Sequence, residues 1–147
     1  MFSRMQSNTL IYTFLIIFSF LCGCKDRNKN SNSHQNELFY KDVTIKEAYA
    51  LIMDNKGNGN FIIIDVRTPQ EYASGHLENA INIDYNAPTF KESLATFDKD
   101  KTYFLYCRTG NRSSKAFEIM KEMDFKKINH MIGGIAAWIN EELPIVK

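Results

Sequence analysis

Tyr103-Phe-Leu-Tyr-Cys107-Arg-Thr-Gly-Asn-Arg112-Ser-Ser-Lys-Ala-Phe-Glu-Ile-Met120 reads as a short apolar strand, a tight polar loop and a helix. One cysteine stands where the strand ends. Two arginines, a glycine and two serines fill the turn into the helix. The backbone N–H groups at a helix start are unpaired and carry the positive end of the helix dipole. An anion placed there is stabilised, and a thiolate is an anion. Cys107 is therefore a candidate nucleophile with a lowered pKa. A free cysteine can also be a small buried hydrophobe. The glycine and the flanking arginines favour the nucleophile here.

Working outward, the same strand-then-helix rhythm recurs. Thr44-Ile-Lys-Glu47 is a capping-box pattern that predicts a helix running to about Met53, with Ala48, Leu51 and Ile52 inward. Asp54 to Asn60 is turn chemistry. Phe61 to Val66 is apolar on both faces and β-branched, as in a strand of a parallel sheet covered on both sides. Thr68-Pro-Gln-Glu71 is a second capping box, opening a helix that Gly75 keeps short. Ala80 to Ile83 alternates as a strand. Thr89 to Phe97 is expected to be helical with Phe90, Leu94 and Phe97 inward. Ser113 to Met123 is the helix after the cysteine loop, Ile128 to Ile132 a last strand, and Ile135 to Asn140 a short helix after Gly133 and Gly134. Trp138 is assigned to the core for its apolar area. Strands alternating with helices predict an α/β fold around a parallel sheet. Ligands gather at the carboxyl ends of such strands. Cys107 lies at one of those ends, and Asp65-Val-Arg67 at another. Asp65 and Arg67 either orient and tune the cysteine loop or, through an Arg67–Glu71 salt bridge, only pin the short helix.

The N-terminus reads as an address. Met1 to Thr9 is polar with Arg4, and Leu10 to Leu21 is an apolar run. That run is short of the about 20 residues a membrane span needs, but it suits an export signal. Leu21-Cys22-Gly23-Cys24 resembles the lipobox of bacterial lipoproteins. The resemblance implies cleavage after residue 23, lipidation of Cys24, and residence in the cell envelope, facing the periplasm or the exterior. Residues 24–37, polar from Lys25 to Asn36, read as a flexible tether. The folded domain is expected over residues 38–147.

Composition narrows the function. The 147-residue chain carries a net charge of +1, with 24% charged and 44% hydrophobic residues, so nothing calls for nucleic acid. Cys22, Cys24 and Cys107 form no disulfide framework or zinc pattern. His34, His76 and His130 are scattered without metal-ligand spacing, so no metal or cofactor is expected. Removal of the leader takes Arg4 and no acid, leaving a neutral chain. Cys107 is then the sole free thiol, and no resolving cysteine remains within the chain.

Several separated motifs resemble a single-domain rhodanese. Ile64-Asp-Val-Arg67 with Glu71-Tyr72, Gly75-His-Leu-Glu-Asn-Ala80-Ile-Asn-Ile83, the loop Cys107-Arg-Thr-Gly-Asn-Arg-Ser113, and Gly133-Gly-Ile-Ala-Ala-Trp138 with Leu143-Pro144 follow the family's order. Asn79 departs from the family's glycine, which predicts only a local turn change. The resemblance implies a three-layer fold, with about five parallel strands between helices, and a sulfurtransferase. In it Cys107 takes a sulfane sulfur from a donor such as thiosulfate and passes it, as a persulfide, to cyanide or a thiol. Main-chain N–H groups of Arg108, Thr109, Gly110, Asn111, Arg112 and Ser113 would cradle the sulfur. Arg108 and Arg112 would hold a donor's oxygens, and Ser113 would cap the helix. His76 is read as a structural hydrogen-bonding residue.

Two other functions share this pattern. Phosphatases and arsenate reductases use a cysteine at a helix start, but resembling families space it C-x5-R. Here four residues separate Cys107 from Arg112, a smaller loop suited to a single sulfur atom. A rhodanese-like binding module is a further class, whose members include some that have lost the cysteine, and the presence of Cys107, Gly110 and Arg112 argues against that loss. A persulfide carrier serving a protein partner keeps the cysteine and differs only in turnover. An exported thiolate also meets an oxidising environment. Either a partner protein reduces it, or the persulfide is its resting form.

Overall fold

The computed structural model describes residues 37–147; the leader, Cys24 and the tether to Asn36 lie outside the described residues. Ten elements alternate along the chain: β1 (Phe39–Val43), α1 (Ile45–Asp54), β2 (Phe61–Asp65), α2 (Pro69–Ser74), β3 (Ala80–Asn82), α3 (Phe90–Ala95), β4 (Thr102–Tyr106), α4 (Asn111–Glu122), β5 (Lys127–Met131) and α5 (Gly134–Asn140). The five strands form one sheet in the order β1-β5-β4-β2-β3, and every pairing is parallel. The expected α/β fold with helices on both faces is therefore the observed one.

Alternation along the inner strands builds two cores. Ile64, Tyr103, Leu105 and Ile128 face α3 and α4, where they meet Phe90, Leu94, Ala116 and Met120. Ile63, Phe104, Tyr106 and Met131 face the other way, against Ala48 of α1 and Ile135 and Trp138 of α5. Burying each such side chain contributes roughly 1.5–3 kcal/mol. Trp138 is 2% exposed and its indole N–H donates to the Pro144 carbonyl at 2.9 Å, a core role.

Local chemistry starts the helices. Both capping boxes form: the Glu47 and Glu71 N–H groups donate to the Thr44 and Thr68 hydroxyls, and each carboxylate accepts its threonine's backbone N–H. Each box is worth about 1 kcal/mol. Helix α4 starts two residues earlier than Ser113 predicts. Its cap is Gly110, with φ 101°, so Ser113 sits in the first turn and is not the cap. Asn79 holds φ 63°, a left-handed geometry that asparagine tolerates. Among the described residues no helix is long and apolar enough to cross a membrane.

The chain leaves β2 toward β3 at one edge and returns to β4 on the other side of β2. Such a reversal opens a crevice outside the carboxyl ends of β2 and β4. The loops after these two strands carry Arg67 and Cys107.

Candidate active site

The loop Cys107–Gly110 is folded by what its carbonyls find. The Ile135 and Ala136 N–H groups at the start of α5 donate to the Cys107 and Arg108 carbonyls at 2.8 and 3.0 Å. With these carbonyls turned toward α5, the N–H groups that follow turn inward. Gly134 permits this approach. It has φ 59°, and a Cβ there would press on the Cys107 carbonyl and lie 2.7 Å from Arg108 backbone atoms. Gly110, with φ 101°, completes the curl.

At the floor of the curl sits Cys107, 1% exposed. Its Sγ accepts the Gly110 N–H at 3.2 Å and lies 3.4 Å from the Ser113 hydroxyl. Burial pushes the thiol up. The Ser113 hydroxyl and the N–H groups of Ser113, Thr109 and Gly110 outweigh that and leave it below its ordinary value. These donors favour the charged form of the sulfur, whether thiolate or persulfide.

The arginines divide their roles. Arg112 makes a two-pronged ion pair with Glu71, both contacts at 2.7 Å, tying the cysteine loop to α2. That pairing draws the Glu71 carboxyl down to about 2, against desolvation and with help from Thr68. The Glu71 carboxylate thus occupies two of the five Arg112 guanidinium donors. Arg108 is exposed, and among the described residues its side chain has no ion-pair partner. Thr109 and Asn111 are exposed at the rim; Gly110 and Ser113 are buried.

Asp65 and Arg67 form a buried pair of their own. The Arg67 guanidinium donates to Asp65 at 2.6–3.0 Å and to the Gly75 carbonyl at 2.7 Å. Burial works against the Arg67 charge, but Asp65 overrides it and raises the group further. The Asn82 amide donates to the Asp65 and Arg67 carbonyls. The pair braces the β2–α2–β3 connection. An Arg67–Glu71 salt bridge does not form, since Glu71 belongs to Arg112. His76 has its Nδ1 3.0 Å from the Tyr72 carbonyl and stacks on the Tyr72 ring, a local structural role.

One site neighbour escaped the sequence. His130 of β5 is 7% exposed, with Nε2 3.0 Å from Ser113 Oγ and Nδ1 2.8 Å from Asp42 of β1. Its only sequence signal is a titratable residue near the carboxyl end of a buried strand.

The match to known proteins agrees with this geometry. A family profile described as Rhodanese-like domain covers residues 44–141. YtwF of Bacillus subtilis, provisionally named a sulfurtransferase, is 38% identical over 104 residues, 69% of this chain and 98% of YtwF. A rhodanese-related protein from Thermoplasma volcanium superposes with a TM-score of 0.60 at 30% identity, over 73% of this chain and 98% of that one. The chain belongs to the rhodanese-like domain family. Other relatives are longer. The adenylyltransferase and sulfurtransferase UBA4 of Scheffersomyces stipitis is 41% identical over 95 residues, 56% of this chain and only 21% of that protein.

Proposed function

We propose that this chain is a sulfurtransferase that moves a sulfane sulfur through a Cys107 persulfide. The observation that carries the reading is the set of inward donors on one sulfur: the Gly110 N–H at 3.2 Å and the Ser113 hydroxyl at 3.4 Å, around a thiol lowered despite burial. With thiosulfate as donor, the thiolate attacks the outer sulfur. The S–S bond breaks, and sulfite leaves with the electron pair. The product is Cys107–S–S⁻, whose terminal charge the same N–H groups stabilise. Cyanide then attacks the terminal sulfur, thiocyanate leaves, and the thiolate returns; a thiol acceptor takes the sulfur in the same way. Arg108 is the guanidinium available for the donor's sulfonate oxygens. A sulfur at the floor of a narrow curl favours a terminal, one-coordinate donor atom over a tetrahedral centre. This supports sulfur over phosphate as cargo.

Mass spectrometry tests the covalent step. After thiosulfate, the protein is expected to gain about 32 Da, one sulfur on an activated cysteine, and Cys107→Ala none. No gain with any sulfane donor refutes the mechanism. Loading without transfer to cyanide would instead identify a persulfide carrier that serves a protein acceptor.

The lipobox Leu21-Cys22-Gly23-Cys24 supports an exported, envelope-resident lipoprotein held to the membrane through lipidated Cys24. There the persulfide needs a reducing or sulfur-accepting partner, because the chain supplies no resolving thiol. Incorporation of labelled palmitate that disappears in Cys24→Ala tests the anchor.

A further inference from the structure

We propose that His130 is a positioning residue whose protonation sets whether the Ser113 hydroxyl donates to the Cys107 sulfur. Four side chains from three strands and one helix form a line: Asp42 on β1, His130 on β5, Ser113 on α4, and Cys107 at the end of β4. The inference rests on the reading of Cys107 as the sulfur-bearing group.

Counting protons gives the logic. A carboxylate only accepts, so the His130 Nδ1 facing Asp42 at 2.8 Å carries a proton. In the neutral ring Nε2 is then a bare lone pair. It faces the Ser113 Oγ at 3.0 Å and the Gly110 carbonyl at 3.2 Å. Ser113 has one O–H and three acceptors in reach: Nε2, the Gly110 carbonyl at 3.1 Å and Sγ at 3.4 Å. The lone pair competes with sulfur for that proton, and Nε2 and the Gly110 carbonyl confront each other as two acceptors. When His130 takes a second proton from solvent, Nε2–H donates to the carbonyl and to Oγ. Both conflicts end, and the hydroxyl proton is released toward Sγ. The imidazolium then stands one hydroxyl from the sulfur and favours its anion.

The groups around the ring are few. Asp42 faces it from β1, Cys107 lies beyond Ser113, and α4 supplies Ser113 and the Phe117 ring, with 6.0 Å between ring centroids. The Lys121 ammonium lies farther out, over the Phe117 and Tyr40 rings. Among the described residues Asp42 is the one anion in direct contact with the ring.

The test is an ultraviolet titration of the Cys107 thiolate in the full chain, taken as the difference from Cys107→Ala. Wild type is expected to show two coupled steps. His130→Gln, whose neutral amide donates near the Nε2 position at every pH, is expected to titrate in one step. Ser113→Ala is expected in one step raised by about one pH unit, a tenfold change, the size of one hydrogen bond to a charged group. Asp42→Asn moves the second step to lower pH. The Asp42 side chain is 62% exposed, so this variant tests the idea even where a buried substitution fails to fold. An Asp42→Asn curve that superimposes on wild type overturns the proposal, as does a folded His130→Gln that keeps both steps. Sulfur loading is measured on the same samples. Uptake with unmoved curves sinks only the positioning role, and moved curves without uptake sink only the sulfur-transfer reading.

Discussion

Glu71→Gln should loosen the cysteine loop in a pH-dependent way. Glu71 does two jobs: it accepts the Thr68 backbone N–H in a capping box and pairs with Arg112 in two contacts at 2.7 Å. Glutamine keeps the first job and loses the charge of the second. A carboxyl held at about 2 against an ordinary 4.5 corresponds to about 3 kcal/mol at about 1.4 kcal/mol per pH unit. The Glu71 side chain is 29% exposed, and solvent screening reduces this to about 1–2 kcal/mol. The native pKa is depressed, so the contribution is fully present above the unfolded value of 4.5. It fades as pH falls and is gone below about 2. Urea unfolding is expected to show Glu71→Gln less stable than wild type by about 1–2 kcal/mol at neutral pH, with the gap at about pH 3 less than half of that. A gap independent of pH would mean that the loss does not come from the carboxylate charge, and no gap at neutral pH would refute the ion pair as a brace.

Gly134→Ala places a methyl against the Cys107 carbonyl at φ 59°. Strain and the loss of two hydrogen bonds should cost about 3–5 kcal/mol and abolish sulfur loading; a variant with wild-type melting and loading would refute the α5 anchor. Asp65→Asn leaves the Arg67 guanidinium buried without its charge partner and should cost about 3–5 kcal/mol in urea unfolding, against under about 1 if the pair is dispensable. Arg108→Ala should lower kcat/KM for thiosulfate roughly 10–100-fold, the worth of a charge-assisted hydrogen bond. The thiolate titration should stay unmoved. An unchanged kcat/KM would remove Arg108 from donor binding.

Much of the fold was legible because its signals are local. Two capping boxes, a strand apolar on both faces, and a cysteine with a glycine three residues on all depend on neighbours within a few residues. Edge strand β1 carried no such signal. It exposes Phe39, Lys41 and Asp42, so neither an apolar run nor a clean alternation marks it. Serine is a favoured cap and so points to Ser113 as the start of α4, whereas the real cap is a left-handed glycine lying beside β5 and Gly133. Partner choice was the least legible. Arg112 and Glu71 are 41 residues apart, and His130 and Asp42 are 88 apart. Sequence shows which charges exist, but only the sheet order decides which of them meet.

The same accounting supports sulfur as the cargo of the proposed reaction. In this loop both of the obvious positive resources are constrained. Glu71 occupies the fork of Arg112, and Arg108 stands exposed at the rim. What remains at the floor is the Ser113 hydroxyl and backbone N–H groups made available because α5 holds two of the loop's carbonyls. A guanidinium fork matches a planar or tetrahedral oxyanion at two points. A ring of converging N–H groups a few ångströms across matches a single atom. The Glu71–Arg112 pair therefore does more than brace α2. By occupying two of the Arg112 donors, it leaves the Ser113 hydroxyl and backbone N–H groups as the donors on the Cys107 sulfur, an arrangement suited to the single sulfur anion of the proposed reaction.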